Sequence, residues 1–411
     1  MTDVLVEIQR LQHTDKAAAE HLLRNFIGET FPLEVAAVEL RPLAVSLNSF
    51  NGFVTLADGH RMFFKTHIEP NAVISEFYNS ALLLKVGYSM LEPVFSSMEA
   101  GHQLLIYEVV DQPSVFDVAW RIETGAAGPE TAEALTAAQR ESDRHLTQIY
   151  AQTLQWQGPE SAEAAPVHQL FHHRLTGARF ASYYPDQATV SFPGARIGIP
   201  ELLDKQWVIN NSRYDKTLNE LIAEAGRLLQ PGRSGAAVVG HGDAHNGNLF
   251  FFEQERRLLY FDPAFGGLHD PFLDLAKPLF HNTFAMWMYY PRTKADELTI
   301  DVTVTGSTIT VTHDYHLPEH RLMFLRSKMT ETLAPLIREL DNRGWLPDDW
   351  RRRLKAALFC CPLLTKNLAD GAAFPPEIAL LGFSQAVEMG AESGDPRSLL
   401  DRCLDEVEAA L

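Results

Sequence analysis

The stretch Val238-Val239-Gly240-His241-Gly242-Asp243-Ala244-His245-Asn246-Gly247-Asn248-Leu249-Phe250 decides how this chain of 411 residues is organised. An apolar run leads into it and a second apolar run, 249–252, leads out, so a short polar loop lies between two segments that are predicted to be buried. Polar groups that leave water cost free energy unless they are hydrogen-bonded. Binding and catalytic residues are often carried by loops that a rigid scaffold positions, so this loop is a candidate functional site.

The spacing of oxygen-bearing side chains in and after the loop predicts a metal site. Asn248 stands five positions after Asp243, which is the spacing of the protein-kinase catalytic loop. Asp262 stands at the end of a predicted strand, 257–261. Mg²⁺ prefers oxygen ligands and keeps several waters, so one amide oxygen, one carboxylate and nucleotide phosphates suffice to hold it. Asn248 and Asp262 are therefore the predicted metal ligands.

Three blocks in this order resemble the aminoglycoside phosphotransferase family, which are small-molecule kinases similar in fold to protein kinases. They are His241-Gly-Asp-Ala-His-Asn-Gly-Asn248, Phe261-Asp-Pro-Ala-Phe265 and Asp270-Pro-Phe-Leu-Asp-Leu-Ala276. The resemblance implies an α+β, bilobal, protein-kinase-like fold. Residues 1–110 would form a small, β-rich nucleotide-binding lobe, and residues 111–411 a larger, mostly helical lobe for catalysis and acceptor binding.

The resemblance also assigns roles within the loop. Asp243 would accept the proton of the attacking hydroxyl, with His241 and His245 beside it as further candidate catalytic residues. Asp274 would accept hydrogen bonds from the loop backbone and support it. The implied activity is transfer of the γ-phosphoryl group of ATP, or of GTP, to a hydroxyl of a small molecule with the help of Mg²⁺.

In the N-terminal lobe the order of elements predicts the nucleotide site. Lys65, on the strand 61–66, would contact the α- and β-phosphates, and Glu76 on the following helix would orient it. Ser49, in the turn-rich loop 46–52, would help to hold the phosphates through small polar groups. Backbone groups from Glu108 to Val110 would bind the adenine edge, as the resemblance implies.

Composition restricts the partners. The net charge of −18, from 53 acidic and 35 basic residues, argues against nucleic acid and anionic membrane surfaces as partners. The N-terminus shows no signal-peptide pattern and no apolar run reaches the length of a membrane span, so a cytoplasmic protein is expected. The expected partner is a small-molecule acceptor, with the protein a monomer or a homodimer.

The acceptor is less well defined by the sequence. A helical insertion is expected over 168–230, with one helix over 169–184, and a β-hairpin over 296–314. Basic groups on that helix would suit an anionic acceptor, namely His172, His173, Arg174 and Arg179. Asp370, Glu377 and Glu388 would suit a cationic one, and the acidic net charge favours the cation.

An amino sugar or aminoglycoside-like acceptor is therefore favoured. A sugar, a cyclitol, choline or homoserine stays open as an alternative acceptor. A nucleotide-binding module without turnover is the alternative from another functional class. A protein substrate is disfavoured, because the A-P-E motif of protein kinases is missing after Asp262.

Overall fold

The computed structural model describes residues 4–12, 14–41, 49–67, 70–99 and 102–410. The chain divides into two compact units, Met1–Pro113 with Leu259–Gly266, and Ser114–Leu258 with Gly267–Leu411. The sequence had placed all of 111–411 in the second unit. Residues 259–266 join the first because Tyr260 is hydrogen-bonded there: its N–H donates to Ser89 O at 2.8 Å, and its carbonyl accepts from Leu91 N at 2.8 Å.

The smaller unit is built on an antiparallel sheet with the strand order β1-β2-β3-β5-β4. Its strands are β1 (Val35–Leu40), β2 (Ser49–Leu56), β3 (Arg61–His67), β4 (Phe95–Ser97) and β5 (Leu104–Glu108). Its helices are α1 (Val4–Leu11), α2 (Lys16–Thr30) and α3 (Pro70–Lys85). Residues 42–48, which include the first three residues of the predicted phosphate loop 46–52, lie outside the described part of the chain. The other four loop residues, 49–52, are the start of strand β2 instead.

Two glycines allow this sheet to form as it does. Gly59 adopts φ +87° in the turn between β2 and β3, where the sequence Asp58-Gly59 predicts a hairpin. Gly52 lies so close to β1 that a Cβ atom there would come within 2.0 Å of the Glu39 carbonyl oxygen. Phe64 and Ile106 on one face of the sheet belong to the same buried core as residues of α1 and α2.

The larger unit is mostly helical. Its first helices are α4 (Val115–Glu123), α5 (Pro129–Thr153), α6 (Pro159–Glu163), α7 (His172–Thr176), α8 (Ala178–Tyr183), α9 (Ile199–Leu203) and α10 (Leu218–Leu228). Then come α11 (Pro271–Thr283), α12 (Met286–Tyr289), α13 (Pro291–Glu297), α14 (Glu319–Ser327), α15 (Ala334–Asn342), α16 (Trp350–Thr365), α17 (Pro376–Gly390) and α18 (Leu399–Glu408). Among the described helices, α11, α16 and α17 each carry more buried residues than any other.

Short strands complete this unit. They are β6 (Gln155–Gln157), β7 (Thr189–Phe192), β8 (Ala195–Gly198), β9 (Gln206–Ile209), β10 (Ser212–Arg213), β11 (Gly235–Gly240), β12 (Leu249–Phe252), β14 (Gly267–His269), β15 (Ile300–Thr305) and β16 (Thr308–His313). Strand β13 (Arg257–Tyr260) leads from the larger unit into residues 259–266. The segment 168–230 is therefore not purely helical as expected, because four of these strands lie in it.

The strands β15 and β16 form a hairpin, and β16 pairs in parallel with β9 of the segment 168–230. The helix expected over 169–184 is broken into α7 and α8. Gly177 interrupts it, and a side chain there would meet the His173 carbonyl oxygen at 2.4 Å. The described residues thus confirm the α+β class, with a β-rich smaller unit and a mostly helical larger one. Among them, no helix is long and apolar enough to cross a membrane.

Candidate functional site

The polar loop 241–248 is held by a strand before it and by helix α11 beside it. Strand β11 ends at Gly240 and pairs antiparallel with β14. Gly242 then turns the chain with φ +80°, a conformation that favours glycine. From α11, the Asp274 carboxylate accepts from Gly242 N at 2.6 Å and the Asn282 side-chain oxygen accepts from Asn246 N at 2.7 Å. One helix therefore fixes both ends of the loop.

Asp274 is the centre of this support. It is 2% exposed, and besides Gly242 it is hydrogen-bonded to the Tyr150 hydroxyl and to His269 Nε2, the latter at 3.0 Å. Burial by itself would raise the pKa of this carboxyl, but His269, Tyr150 and the Gly242 N–H lower it below its usual value. Asp274 Oδ1 accepts directly from the loop backbone at Gly242, which is the kind of contact that its predicted supporting role requires.

Asp243 is a carboxylate that neighbouring cations keep ionised. Its side chain is 16% exposed, and Oδ1 is buried without a hydrogen-bond donor among the described residues. Lys277 Nζ lies 3.5 Å from Oδ1 and His245 Nε2 lies 3.9 Å from Oδ2. Burial would raise the pKa of Asp243, and the positive charge of Lys277, followed by His245 and His241, lowers it overall. Such a group can accept a proton at neutral pH.

The sequence analysis missed Lys277 and His281, which belong to this site. Lys277 Nζ is 3.2 Å from His281 Nε2, and the Tyr289 hydroxyl is 2.8 Å from His281 Nδ1. Burial and the charge of Lys277 hold the pKa of His281 well below its usual value, so the ring is neutral. Its Nε2 then accepts from Lys277, and Nδ1–H donates to Tyr289, an assignment inferred from these partners.

The helical spacing of these residues would have revealed them. Lys277 and His281 stand three and seven positions after Asp274, so all three lie on the same face of α11. Both are almost fully buried, at 5% and 3% exposure. Polar side chains at helical spacing in an otherwise apolar helix indicate a polar site on that face.

The remaining candidates of the loop have defined contacts. Asn248 Nδ2 donates to the Asp243 carbonyl oxygen at 2.9 Å, so the side-chain oxygen of Asn248 is the atom left for a ligand. His245 Nδ1 accepts from Gly247 N at 3.0 Å, which turns the other ring nitrogen towards Asp243. His241 is fully buried, and its predicted catalytic role stays a prediction.

In the smaller unit, Lys65 and Asp262 come together. Lys65 Nζ donates to Asp262 Oδ1 at 2.9 Å, with the side chains 25% and 43% exposed. Asp262 has φ +55°. In the turn that follows it, the Pro263 carbonyl oxygen accepts a hydrogen bond from Asn79 Nδ2 at 3.1 Å. The side chains of Glu76, on α3, and Ser49, at the start of β2, lie outside the described residues. Their predicted roles stay predictions.

The predicted adenine contacts lie at the end of the sheet. Glu108 is the last residue of β5, and its exposed side chain pairs with His60 Nε2 at 2.9 Å. Val110 follows in irregular, partly exposed backbone. The position is accessible at the edge of the unit, and adenine binding there stays a prediction.

The charged residues considered for the acceptor fall into two groups. Glu388 is held by the Tyr214 hydroxyl at 3.1 Å, and burial raises its pKa to about 7. Asp370 caps the backbone N–H of Ala372 at 3.0 Å. Arg174, on α7, is different. Burial and then the charge of Arg179 lower its pKa overall, while the negative charge of Asp243 raises it in part. The arginine belongs to the surroundings of the loop.

No protein-family model matches this chain, and no curated protein matches it either. Among solved structures, an amicoumacin kinase in complex with AMP-PNP, Ca²⁺ and Ami is similar at 15% identity over 86% of this chain and 87% of that one, with a TM-score of 0.46. An aminoglycoside-3'-phosphotransferase of type VIII is similar at 17% identity over 82% and 96%, with a TM-score of 0.42.

A Plasmodium vivax ethanolamine kinase is similar at 12% identity over 88% of this chain and 85% of that one, with a TM-score of 0.41. The family that the motifs resemble is thus represented among the similar structures. With TM-scores below 0.5, these likenesses carry no inference about activity, which has to come from the residues of this chain.

The support of the loop by Asp274 can be tested by measuring the free energy of unfolding of a variant. Replacing Asp274 with Ala leaves the Gly242, Tyr150 and His269 donors buried without an acceptor. We expect the free energy of unfolding of the larger unit to fall by roughly 3 kcal/mol or more, measured by urea denaturation. The exposed Asp341→Ala is the matched control and should change stability little.

The same carboxylate gives a pH dependence with a defined sign. The pKa of Asp274 is lower in the folded protein than the usual 3.8. Its contribution to stability is therefore present above that value and is lost as the pH falls through the folded pKa. Wild type should lose more stability than the variant on acidification below pH ~4. Equal losses would contradict the assigned role.

Lys277 should set the ionisation of Asp243. In Lys277→Met the largest charge that lowers the Asp243 pKa is gone, while burial still raises it. We expect the acidic limb of the pH profile of turnover to move to higher pH, and Lys277→Arg to keep the wild-type position. A profile that is unchanged in Lys277→Met would show that Lys277 does not act on Asp243.

Proposed function

We propose that this protein is a phosphotransferase that moves the γ-phosphoryl group of ATP to a hydroxyl of a small molecule, with a divalent metal ion. The observation that carries the proposal is the state of Asp243. Its carboxylate is kept ionised by Lys277, and its Oδ1 has no hydrogen-bond donor among the described residues. A proton acceptor held in this way on a doubly supported loop is what hydroxyl activation requires.

In the proposed reaction the acceptor oxygen forms a bond to the γ-phosphorus, and the bond from that phosphorus to the bridging oxygen breaks. The hydroxyl proton goes to Asp243, and ADP leaves with the electron pair of the broken bond. Positioning and neutralisation of charge account for most of the catalysis in such transfers. Lys277 supplies positive charge beside Asp243, and Lys65 is proposed to bind the nucleotide phosphates.

Asn248 and Asp262 each offer the kind of oxygen that Mg²⁺ prefers, which supports their proposed role as metal ligands. The Asn248 amide nitrogen is used by the Asp243 carbonyl, which leaves its oxygen for a metal, and the Asp262 carboxylate is partly exposed. Among the described residues, no group of three His, Cys, Asp or Glu side chains could hold a metal alone. Mg²⁺ usually keeps several water ligands and binds nucleotide phosphates, so two protein ligands suffice for such a site. The ion would neutralise charge on the phosphates.

For the phosphoryl donor and for the acceptor, more than one molecule fits the proposal. ATP is taken as the donor and GTP as the alternative. The amine-bearing acceptor that the sequence favoured stays a prediction, as do the sugar, cyclitol, choline and homoserine alternatives. A module that binds nucleotide without turnover is the second functional class, and nucleotide binding with no ADP release over a broad acceptor panel would favour it.

Asp243→Asn tests the base directly. The amide cannot take the hydroxyl proton, so we expect turnover with a competent acceptor to fall by on the order of 10²-fold or more. Nucleotide affinity, measured by calorimetry, should change little because the side chain meets the acceptor. Full activity of the variant would remove Asp243 from the mechanism.

Asp262→Ala tests the metal ligand. We expect Mg²⁺-dependent binding of ATP to be lost, since the carboxylate is proposed to hold the ion. The readout is a nucleotide titration with and without Mg²⁺, and Asp58→Ala, an exposed residue of the same unit, is the control. If the variant and the wild type show the same dependence on Mg²⁺, the metal is held elsewhere.

A further inference from the structure

Three basic side chains of the larger unit have no carboxylate partner among the described residues. Neither Arg174 nor Arg179 nor Lys366 has a carboxylate within 4.0 Å there, whereas many other cations of this unit form ion pairs. Arg174 also makes no hydrogen bond to any described residue. It is only partly exposed, so its guanidinium loses hydration without a hydrogen-bond acceptor among the described residues to replace the water.

These three cations are here called the basic rim: Arg174 on α7, Arg179 on α8, and Lys366 just after α16. Arg179 Nη1 donates to Leu364 O at 3.3 Å, two residues before Lys366. Lys366 Nζ lies 5.8 Å from the centre of the Tyr289 ring, whose hydroxyl contacts His281. From His281 the contacts continue through Lys277 to Asp243. The rim is therefore continuous with the proposed base.

The charge of this region is opposite to that of the chain. The protein has 53 acidic and 35 basic residues, so most cations can find a carboxylate, and other buried arginines do. Arg321 pairs with Glu123 at 2.9 Å, and Arg353 pairs with Asp270. Unpaired cations that lie close together repel one another, and this repulsion costs free energy. Asp243 does not remove the cost, because its charge is already balanced by Lys277. A bound anion would remove that cost.

The neighbouring His172 does not change the net positive charge of the basic rim. Burial, followed by the charge of His173, lowers the pKa of His172 below its usual value, so this ring adds no charge at neutral pH. Of the three carboxylates considered for an amine, Asp370 and Glu388 are hydrogen-bonded to the Ala372 backbone and to Tyr214 respectively. Glu377 is partly exposed and makes no ion pair with a described residue. The described side chains around Asp243 therefore offer positive charge to an acceptor.

We propose that the acceptor carries a carboxylate or a phosphate group near the hydroxyl that receives the phosphoryl group, and that the basic rim binds this anion, with Arg174 as the principal contact. The inference rests on the proposed phosphotransfer. A guanidinium binds either anion through two parallel hydrogen bonds, which would fix the orientation of the acceptor as well as its affinity. Hydroxy acids and phosphorylated sugars or alcohols are the classes that fit.

Matched probes separate the possible acceptors. D-glucose, D-glucosamine, D-glucuronate and D-glucose 6-phosphate share one ring, and glycerol, D-glycerate and glycerol 3-phosphate share one three-carbon skeleton. Binding to the full chain is measured by calorimetry at constant ionic strength with an ATP analogue and Mg²⁺, and ADP release is measured with ATP. A carboxylate preference and a phosphate preference are read from separate members of each set.

We expect at least one anionic probe to bind about tenfold or more tightly than its neutral counterpart. Arg174→Ala should abolish this preference and leave nucleotide affinity unchanged, while Arg174→Lys should keep part of it. Lys366→Ala, an exposed residue whose loss cannot disturb the core, should weaken the same probe severalfold. Arg338→Ala, an exposed arginine on α15, should have no effect.

The inference is overturned if no anionic probe is preferred over its neutral and amine-bearing counterparts. It is also overturned if Arg174→Ala weakens nucleotide rather than the probe, because the arginine would then serve the nucleotide phosphates. Failure of the proposed function looks different, since wild type would bind no nucleotide in the presence of Mg²⁺. Nucleotide binding and ADP release with a preference for glucosamine would leave the function standing and reject the anionic acceptor.

Discussion

The hydrogen bond from Gly242 N to the buried Asp274 carboxylate is the contact on which the candidate site depends. It fixes the first turn of the loop 241–248, and the same carboxylate is held by Tyr150 from α5 and by His269 from β14. Gly240 leaves the space for it, since a Cβ there would lie 2.4 Å from the carboxyl carbon. Three elements thus converge on one ionised group, and the loop takes its shape from them.

The charges of Asp274 and Asp243 are compensated in different ways, and this difference suits them to different roles. Asp274 has donors for both oxygens, so its charge is compensated by hydrogen bonds that have no reason to change during a reaction. Asp243 is compensated mainly by the charge of Lys277 at 3.5 Å, while Oδ1 has no donor among the described residues. A charge balanced over a distance leaves a lone pair free, which is the property of a base.

The sequence was sufficient for the parts of the site that follow from local spacing. The polar loop between two apolar segments and the start of α11 at Asp270-Pro271 follow from residue types at fixed offsets. The pairing of Lys65 with Asp262 was not foreseen, because it joins residues 197 positions apart in the chain. Nor was the place of residues 259–266 in the smaller unit, which depends on backbone hydrogen bonds to residues 89–91.

The nature of the acceptor depends on pairing, which composition does not reveal. The net charge of −18 favoured a cationic acceptor, but it is an average over the whole chain. What a bound molecule meets is set by the charges that remain after neighbours have compensated one another. Burial raises the pKa of Glu388 to about 7 and so reduces its charge, although the bond from Tyr214 acts in the opposite direction, whereas Arg174 has no ion-pair partner among the described residues. An acidic protein can therefore present a basic binding region, and only the contacts in its fold show which charges are left.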